Sequence, residues 1–168
     1  MSVVVLTDIR NEVLAKVKGL SPSMLRYKKS EKEWSIIEIL EHLFLMEQSV
    51  LKGITHALKD DNSPSSKEVP IHLTPLRERK VKAPSFVEPK GQIESLDELV
   101  QLLNGSREKL FSLVDDVPLE TLQQKSFPHM VFGRVPLHQW ILFIGYHEKR
   151  HLEQMDELLQ YMREKNIS

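Results

Sequence analysis

No cysteine occurs among the 168 residues of this chain, which removes disulfides, thiolate metal ligands and a cysteine nucleophile from any account of what it does. Any thiol chemistry needs a thiol brought in from outside. An excess of charge of one sign is also lacking: 23 basic side chains face 24 acidic ones, for a net charge of −1, so no general field draws the chain to nucleic acid or an anionic membrane. No apolar run approaches the ~20 residues that span a bilayer. The opening MSVVVLTDIR has a short apolar run with no basic segment before it, unlike a signal peptide or an anchor. These absences predict one cytoplasmic domain over residues 1–168, with no nucleic-acid or membrane partner.

Helical periodicity is what the chain does have. From Pro136 to Lys165, Leu137, Trp140, Ile141, Ile144, His147, Glu148, His151, Met155, Leu158, Leu159 and Met162 recur at steps of three and four, the stripe of a helix facing a core. Ser35 and Glu38 form an S-x-x-E capping box before Ile36, Ile39, Leu40, Leu43, Val50, Leu51 and Ile54, and Ser95 with Glu98 opens a further helix in the same way. Four main helices are predicted: Thr7 to Val17, Ser35 to Leu58, Ser95 to Asp115 and Pro136 to Lys165. Between the second and third lies Asp60 to Glu94, which holds Pro64, Pro70, Pro75, Pro84 and Pro89 and shows no period. So long a connection inside a compact domain is commonly functional, either a lid over a site or a belt around the bundle. Its RERKVK run, Arg77 to Lys82, reads as a solvated loop face, with anion binding as the lesser alternative. KSFPHMVFGRVPL, before the last helix, is β-branched and aromatic and is predicted to be loop with Gly133 at its bend, brief strand pairing being the alternative. The expected fold class is all-α, a four-helix bundle with a long crossover between helices 2 and 3.

Histidines carry the chemistry. His147 and His151 are four apart, so they stand one above the other on one helix face, close enough to grip one metal ion. His42 lies on the shoulder of the second helix's stripe, and metal sites in bundles are built from inward side chains of facing helices. Two readings stay open on the residues alone: a three-imidazole metal site with an open position, or partly buried histidines satisfied by Glu41, Glu47 or Glu148. The segment His147-Glu148-Lys149-Arg150-His151 formally meets the H-E-x-x-H pattern of metalloproteases. It lacks their downstream third ligand and a substrate-aligning strand, so Glu148 is expected to support the site from outside or to face solvent. His56 is about 21 Å along the helix from His42 and cannot share its ion. His138 is out of phase, and His72 reaches the site only if the crossover folds over it. His129, near the start of the last helix, is a candidate substrate contact.

Trp34-Ser35 leading into Glu41-His42-Leu43, together with the late FIGYHEKRHLEQM, resembles the DinB-like superfamily, four-helix-bundle metalloproteins that include bacillithiol S-transferases and mycothiol-dependent enzymes. The order and spacing cover nearly the whole chain. The resemblance implies one divalent transition metal per chain, zinc or nickel, on His42, His147 and His151. Gln154 matches a glutamine often found three residues after the final ligand. His129-Met130-Val131-Phe132-Gly133 is similar to a His-Pro-x-Phe-Gly turn in part of the family, with Met130 where the proline stands. The activity it implies is a metal-dependent transferase that activates a low-molecular-weight, bacillithiol-type thiol for attack on an electrophile. A metal-dependent hydrolase and a non-catalytic metal- or partner-binding bundle are the alternatives, and the resemblance admits a homodimer.

Overall fold

The computed structural model describes residues 3–77 and 81–168, so Glu78, Arg79 and Lys80 of the basic run lie outside the described residues. Four long helices make the frame: α1 (Val3–Val17), α3 (Ile36–Lys59), α4 (Leu96–Val114) and α6 (Leu137–Glu164). Two short helices, α2 (Pro22–Arg26) and α5 (Leu119–Gln124), join them. The all-α bundle expected from the periodicity is the fold observed, and among the described residues no helix is long and apolar enough to cross a membrane.

Local chemistry sets the boundaries. At the start of α3 the Ser35 hydroxyl accepts from the Glu38 N–H at 3.4 Å while the Glu38 carboxylate accepts from the Ser35 N–H at 2.8 Å, so the capping box is complete. α1 begins earlier than Thr7 because Leu6 continues the buried line of Ile9, Val13 and Val17. The segment expected to be loop is instead an antiparallel hairpin, β1 (Ser126–His129) and β2 (Gly133–Pro136), with Phe127 opposite Val135 and His129 opposite Gly133. The chain enters β2 through a left-handed residue, and Gly133, with φ 74°, adopts that conformation without a Cβ penalty. The hairpin is fixed to the bundle by Phe127, whose ring lies parallel to Trp140 at 4.2 Å and directly over Gly53, where a Cβ would come within 2.5 Å of it. Trp140 also donates its indole N–H to the Phe127 carbonyl at 3.2 Å.

The core falls into two apolar clusters. One gathers Val13, Ile36, Leu40, Leu103, Met155 and Met162 with their neighbours; the other gathers Val50, Ile54, Leu110, Leu137, Trp140 and Ile144. Between them along α3 and α6 stand buried polar side chains: His42, Glu47, His147, Glu148 and His151. A polar layer across the middle of a bundle is unfavourable unless each group is paired, so its partners are the informative feature.

Candidate metal centre

His42 on α3 and His147 and His151 on α6 form, among the described residues, the group whose ligand atoms gather closely enough for one ion, all within 4.8 Å of one another. The His147 Nε2 lies 3.1 Å from the His42 Nε2 and 3.2 Å from the His151 Nε2. All three rings are buried. Their other nitrogens fix which atoms face inward. The His42 Nδ1 is 2.7 Å from the Val87 carbonyl, which can only accept, so the proton is on Nδ1 and the Nε2 lone pair points to the centre. The His151 Nδ1 likewise donates to the Gln154 side-chain oxygen at 2.8 Å.

Two inward lone pairs are thus settled. Whether or not the His147 Nε2 carries a proton, it cannot serve both neighbours fully, so at least one buried lone pair has no donor within the trio. A single cation satisfies all three. Nitrogens held about 2.05 Å from one ion at tetrahedral angles stand about 3.3 Å apart, close to the spacings seen. Burial also keeps the rings neutral, as ligands must be. It pushes His42 down to about 4, only partly offset by the Val87 carbonyl. It holds His147 and His151 well below the usual imidazole value, with the neighbouring imidazoles adding to the effect.

The carboxylates that the alternative reading assigns to these histidines are engaged elsewhere. Glu41 accepts from the backbone N–H groups of Lys90 and Gly91, both at 3.1 Å, and so ties the end of the crossover to α3. Glu47 and Glu148 belong to a buried quartet with Arg10 of α1 and Arg107 of α4. Arg10 donates to Glu148 at 2.6 Å and to Glu47 at 2.5 Å, while Arg107 donates to Glu47 at 2.8 Å and reaches Glu148 at 3.1 Å. Leu103 and Leu6 carbonyls take further guanidinium N–H groups. Burial disfavours the Arg107 charge, but Glu148 and Glu47 outweigh it and raise its pKa above the usual arginine value. With two guanidiniums on its carboxylate, Glu148 is not placed as the general base of an H-E-x-x-H protease.

A pocket of about 500 Å³ opens beside the trio. The crossover forms one wall through Leu73, Thr74, Leu76 and residues Val81 to Pro84, and the hairpin turn His129 to Phe132 forms another. The crossover therefore runs along the bundle as one wall of the pocket. Arg150 pins it to α6 by donating to the carbonyls of Thr74, at 3.2 Å, and of Leu76, and Arg77 bonds Glu157 at 3.1 Å. Trp34 covers the inner end of the site, its ring 4.7 Å from His42 and 6.2 Å from His151. His129 lines the same pocket. The remaining histidines are elsewhere: His56 and His72 are exposed, and His138 faces Glu68 at 3.2 Å.

Sequence reasoning missed Arg10, Arg107, Val87 and the lining cations Arg150 and Lys82. A signal existed for the arginines, since Arg10 falls between Leu6 and Val13 and Arg107 between Leu103 and Leu110, all on core stripes. None existed for Val87, which is positioned by an aperiodic segment.

The model of the DinB superfamily matches residues 6–155. The chain belongs to that superfamily. It is 36% identical over 154 residues to the uncharacterised protein YuaE of Bacillus subtilis (strain 168), covering 92% of this chain and 94% of YuaE. Its fold is similar to that of TT2238, a four-helix bundle protein, with a TM-score of 0.62, 22% identity, and 91% and 94% of the two chains covered. It is also similar to YfiT from Bacillus subtilis, described as a probable metal-dependent hydrolase with an unusual four-helix bundle topology, with a TM-score of 0.67, 14% identity, and 99% and 86% covered. For a DinB-superfamily chain, the buried trio is a site able to hold a metal ion.

Proposed function

We propose that this protein is a metal-dependent transferase that binds one zinc or nickel ion on His42, His147 and His151 and joins a low-molecular-weight thiol to an electrophile held in the adjoining pocket. The observation that carries the proposal is the locking of the trio. Val87 and Gln154 orient two imidazoles so that their lone pairs converge in a buried space that opens on a 500 Å³ pocket. When bound, the metal supplies the Lewis acidity that makes a thiol or a water nucleophilic at neutral pH.

The chain's own residues do the rest. Three imidazoles leave a position open, as catalytic sites require and closed structural sites do not. Trp34 and Phe143 shield the imidazoles from bulk water. Leu73, Leu76, Val81, Met130 and Val131 give the mouth apolar surface, and burying a ligand's apolar body there contributes about 25 cal/mol per Å². A thiol must come from outside, because the chain has none.

Hydrolysis is the second reading, supported by the description of YfiT as a probable metal-dependent hydrolase. The deciding experiment follows conjugation of a bimane-type electrophile with bacillithiol and related thiols, using metal-loaded, metal-stripped and His151→Ala protein. Metal-dependent conjugation is expected. Ester or amide hydrolysis that depends on metal, with no thiol reacting faster on loaded than on stripped protein, assigns the hydrolase instead.

A further inference from the structure

His129 is not one of the three clustered ligands, yet its ring is held as firmly as theirs. The backbone N–H groups of Val131 and Phe132 both point at its Nδ1, at 3.0 and 3.3 Å. A nitrogen that accepts from two N–H donors cannot itself carry a proton, so the ring is the neutral Nε2–H tautomer. Phe132, Trp140 and Phe143 pack around it with centroids at 5.0, 5.0 and 4.8 Å. Burial also disfavours its charged form and lowers its pKa to about 4. Among the described residues no acceptor takes the Nε2–H, and the ring lines the pocket shared with His42, His147 and His151.

This protonation state excludes two roles. As a fourth metal ligand through Nε2, His129 would need its proton on Nδ1, facing two N–H groups. As a general base it would need a lone pair aimed at the pocket, and it has none. What remains is a fixed donor. Lys82 and Arg150 also line the pocket, and no carboxylate does among its described lining residues. Apart from Thr74 and the histidine trio, the other lining residues are apolar. A donor and two cations set in largely apolar walls select a ligand with an apolar body and an electron-rich oxygen.

We infer that His129 is a substrate-binding residue that donates its Nε2–H to a carboxylate or acyl oxygen of an apolar ligand seated in the pocket beside the histidine trio. The position of the ligand next to a metal rests on the proposed function, but the tautomer and the donor role do not. In the reaction proposed above, the electrophile is accordingly an acyl or carboxylate-bearing compound rather than a bare alkyl one.

The test uses full-length, 15N-labelled, zinc-loaded protein with hexanoate as the probe. Long-range 1H–15N correlation should show His129 as the Nε2–H tautomer, and hexanoate should shift that nitrogen. His129→Asn places an amide oxygen where Nδ1 stands and so keeps the turn, but removes the donor. It should weaken hexanoate binding about tenfold or more, as loss of a hydrogen bond to a charged acceptor does, with zinc content unchanged. His129→Gln, which carries an amide N–H near the Nε2 position, should recover part of that loss. An Nδ1–H tautomer, no binding of hexanoate by the wild type, or equal binding by the Asn variant overturns the inference. If the wild type binds no zinc, the metal reading fails by itself, and the tautomer and hexanoate measurements on the metal-free protein still decide the role of His129. If the Asn variant does not fold, as judged by its melting curve, the wild-type tautomer and the Gln variant decide.

Discussion

His147 and Glu148 are adjacent on α6, and the structure sends them into two different buried polar clusters. Glu148 joins Arg10, Glu47 and Arg107, two cations against two anions, which neutralise one another inside the bundle. His147 joins His42 and His151, three buried rings whose Nε2 atoms converge, with the lone pairs of His42 and His151 turned inward. The quartet is closed by groups the chain supplies, except for one carboxylate oxygen of Glu148 that has no partner among the described residues. The trio is not closed. The outer nitrogens of His42 and His151 are held in place, and their inner lone pairs are left wanting a cation. Burial by itself therefore says little about function; the difference lies in whether the buried charges and lone pairs are answered within the fold.

That contrast is best broken by removing one partner from each cluster. Glu47→Ala leaves two guanidiniums facing Glu148 alone in a site where Glu47 is 1% exposed. An uncompensated buried charge should cost about 3–5 kcal/mol of folding stability, enough to unfold a marginal domain. Urea denaturation of the metal-stripped protein measures it. A loss under about 1 kcal/mol would show that water reaches the quartet.

His151→Ala should act through the metal. Stoichiometric zinc or nickel should be lost by elemental analysis, and with it the stabilisation that a bound ion gives the wild type, about 4 kcal/mol at a thousandfold excess over the dissociation constant. Full occupancy retained in the variant would dissolve the trio as a site.

The two clusters also explain what could be read before the structure was known. Helix positions and the inward placement of His42, His147 and His151 follow from a 3.6-residue period, because one apolar stripe decides both. HEKRH misleads as a single motif, since neighbouring residues on a helix face about 100° apart and two of its members serve different clusters. The hairpin was hidden because Phe127 is held by Gly53 and Trp140, which are distant in sequence. Likewise the Val87 carbonyl meets His42 because Arg150 fastens the middle of an aperiodic crossover and Glu41 its far end.

Acid should sharpen the comparison by loading protons onto the trio. His42 titrates near 4 in the folded metal-free protein, against about 6.5 in an unfolded chain. Between those values the unfolded state binds more protons, so stability rises with pH. The contribution is complete above about 6.5 and is lost as pH falls towards 4. For His42 it is on the order of 3 kcal/mol, and His147 and His151 act in the same direction. Denaturation of stripped protein at pH 7.5, 6 and 5 should therefore show a fall that is shallower in His151→Ala, which has one fewer buried imidazole to protonate. Equal slopes in the two proteins would place the acid sensitivity outside the trio.

The smallest effect expected is at Gln154, whose side chain is half-buried and holds the His151 Nδ1–H at 2.8 Å. Its removal takes no ligand away. Gln154→Ala should leave the stripped protein within about 1 kcal/mol of wild type, as loss of one ordinary hydrogen bond does, while weakening metal binding about 10- to 100-fold. The reason is geometric: without its acceptor the His151 ring can rotate or change tautomer, and the lone pair no longer waits at the centre. Gln154→Glu should do the opposite, because a carboxylate accepts the Nδ1–H more strongly and makes the opposite nitrogen a better donor to the metal. Competition titrations with a chromogenic chelator on wild type, Ala and Glu variants should therefore rank affinity Glu above Gln above Ala. An unchanged affinity in Gln154→Ala would mean that packing against Trp34 and His42, not the hydrogen bond, fixes the His151 ring.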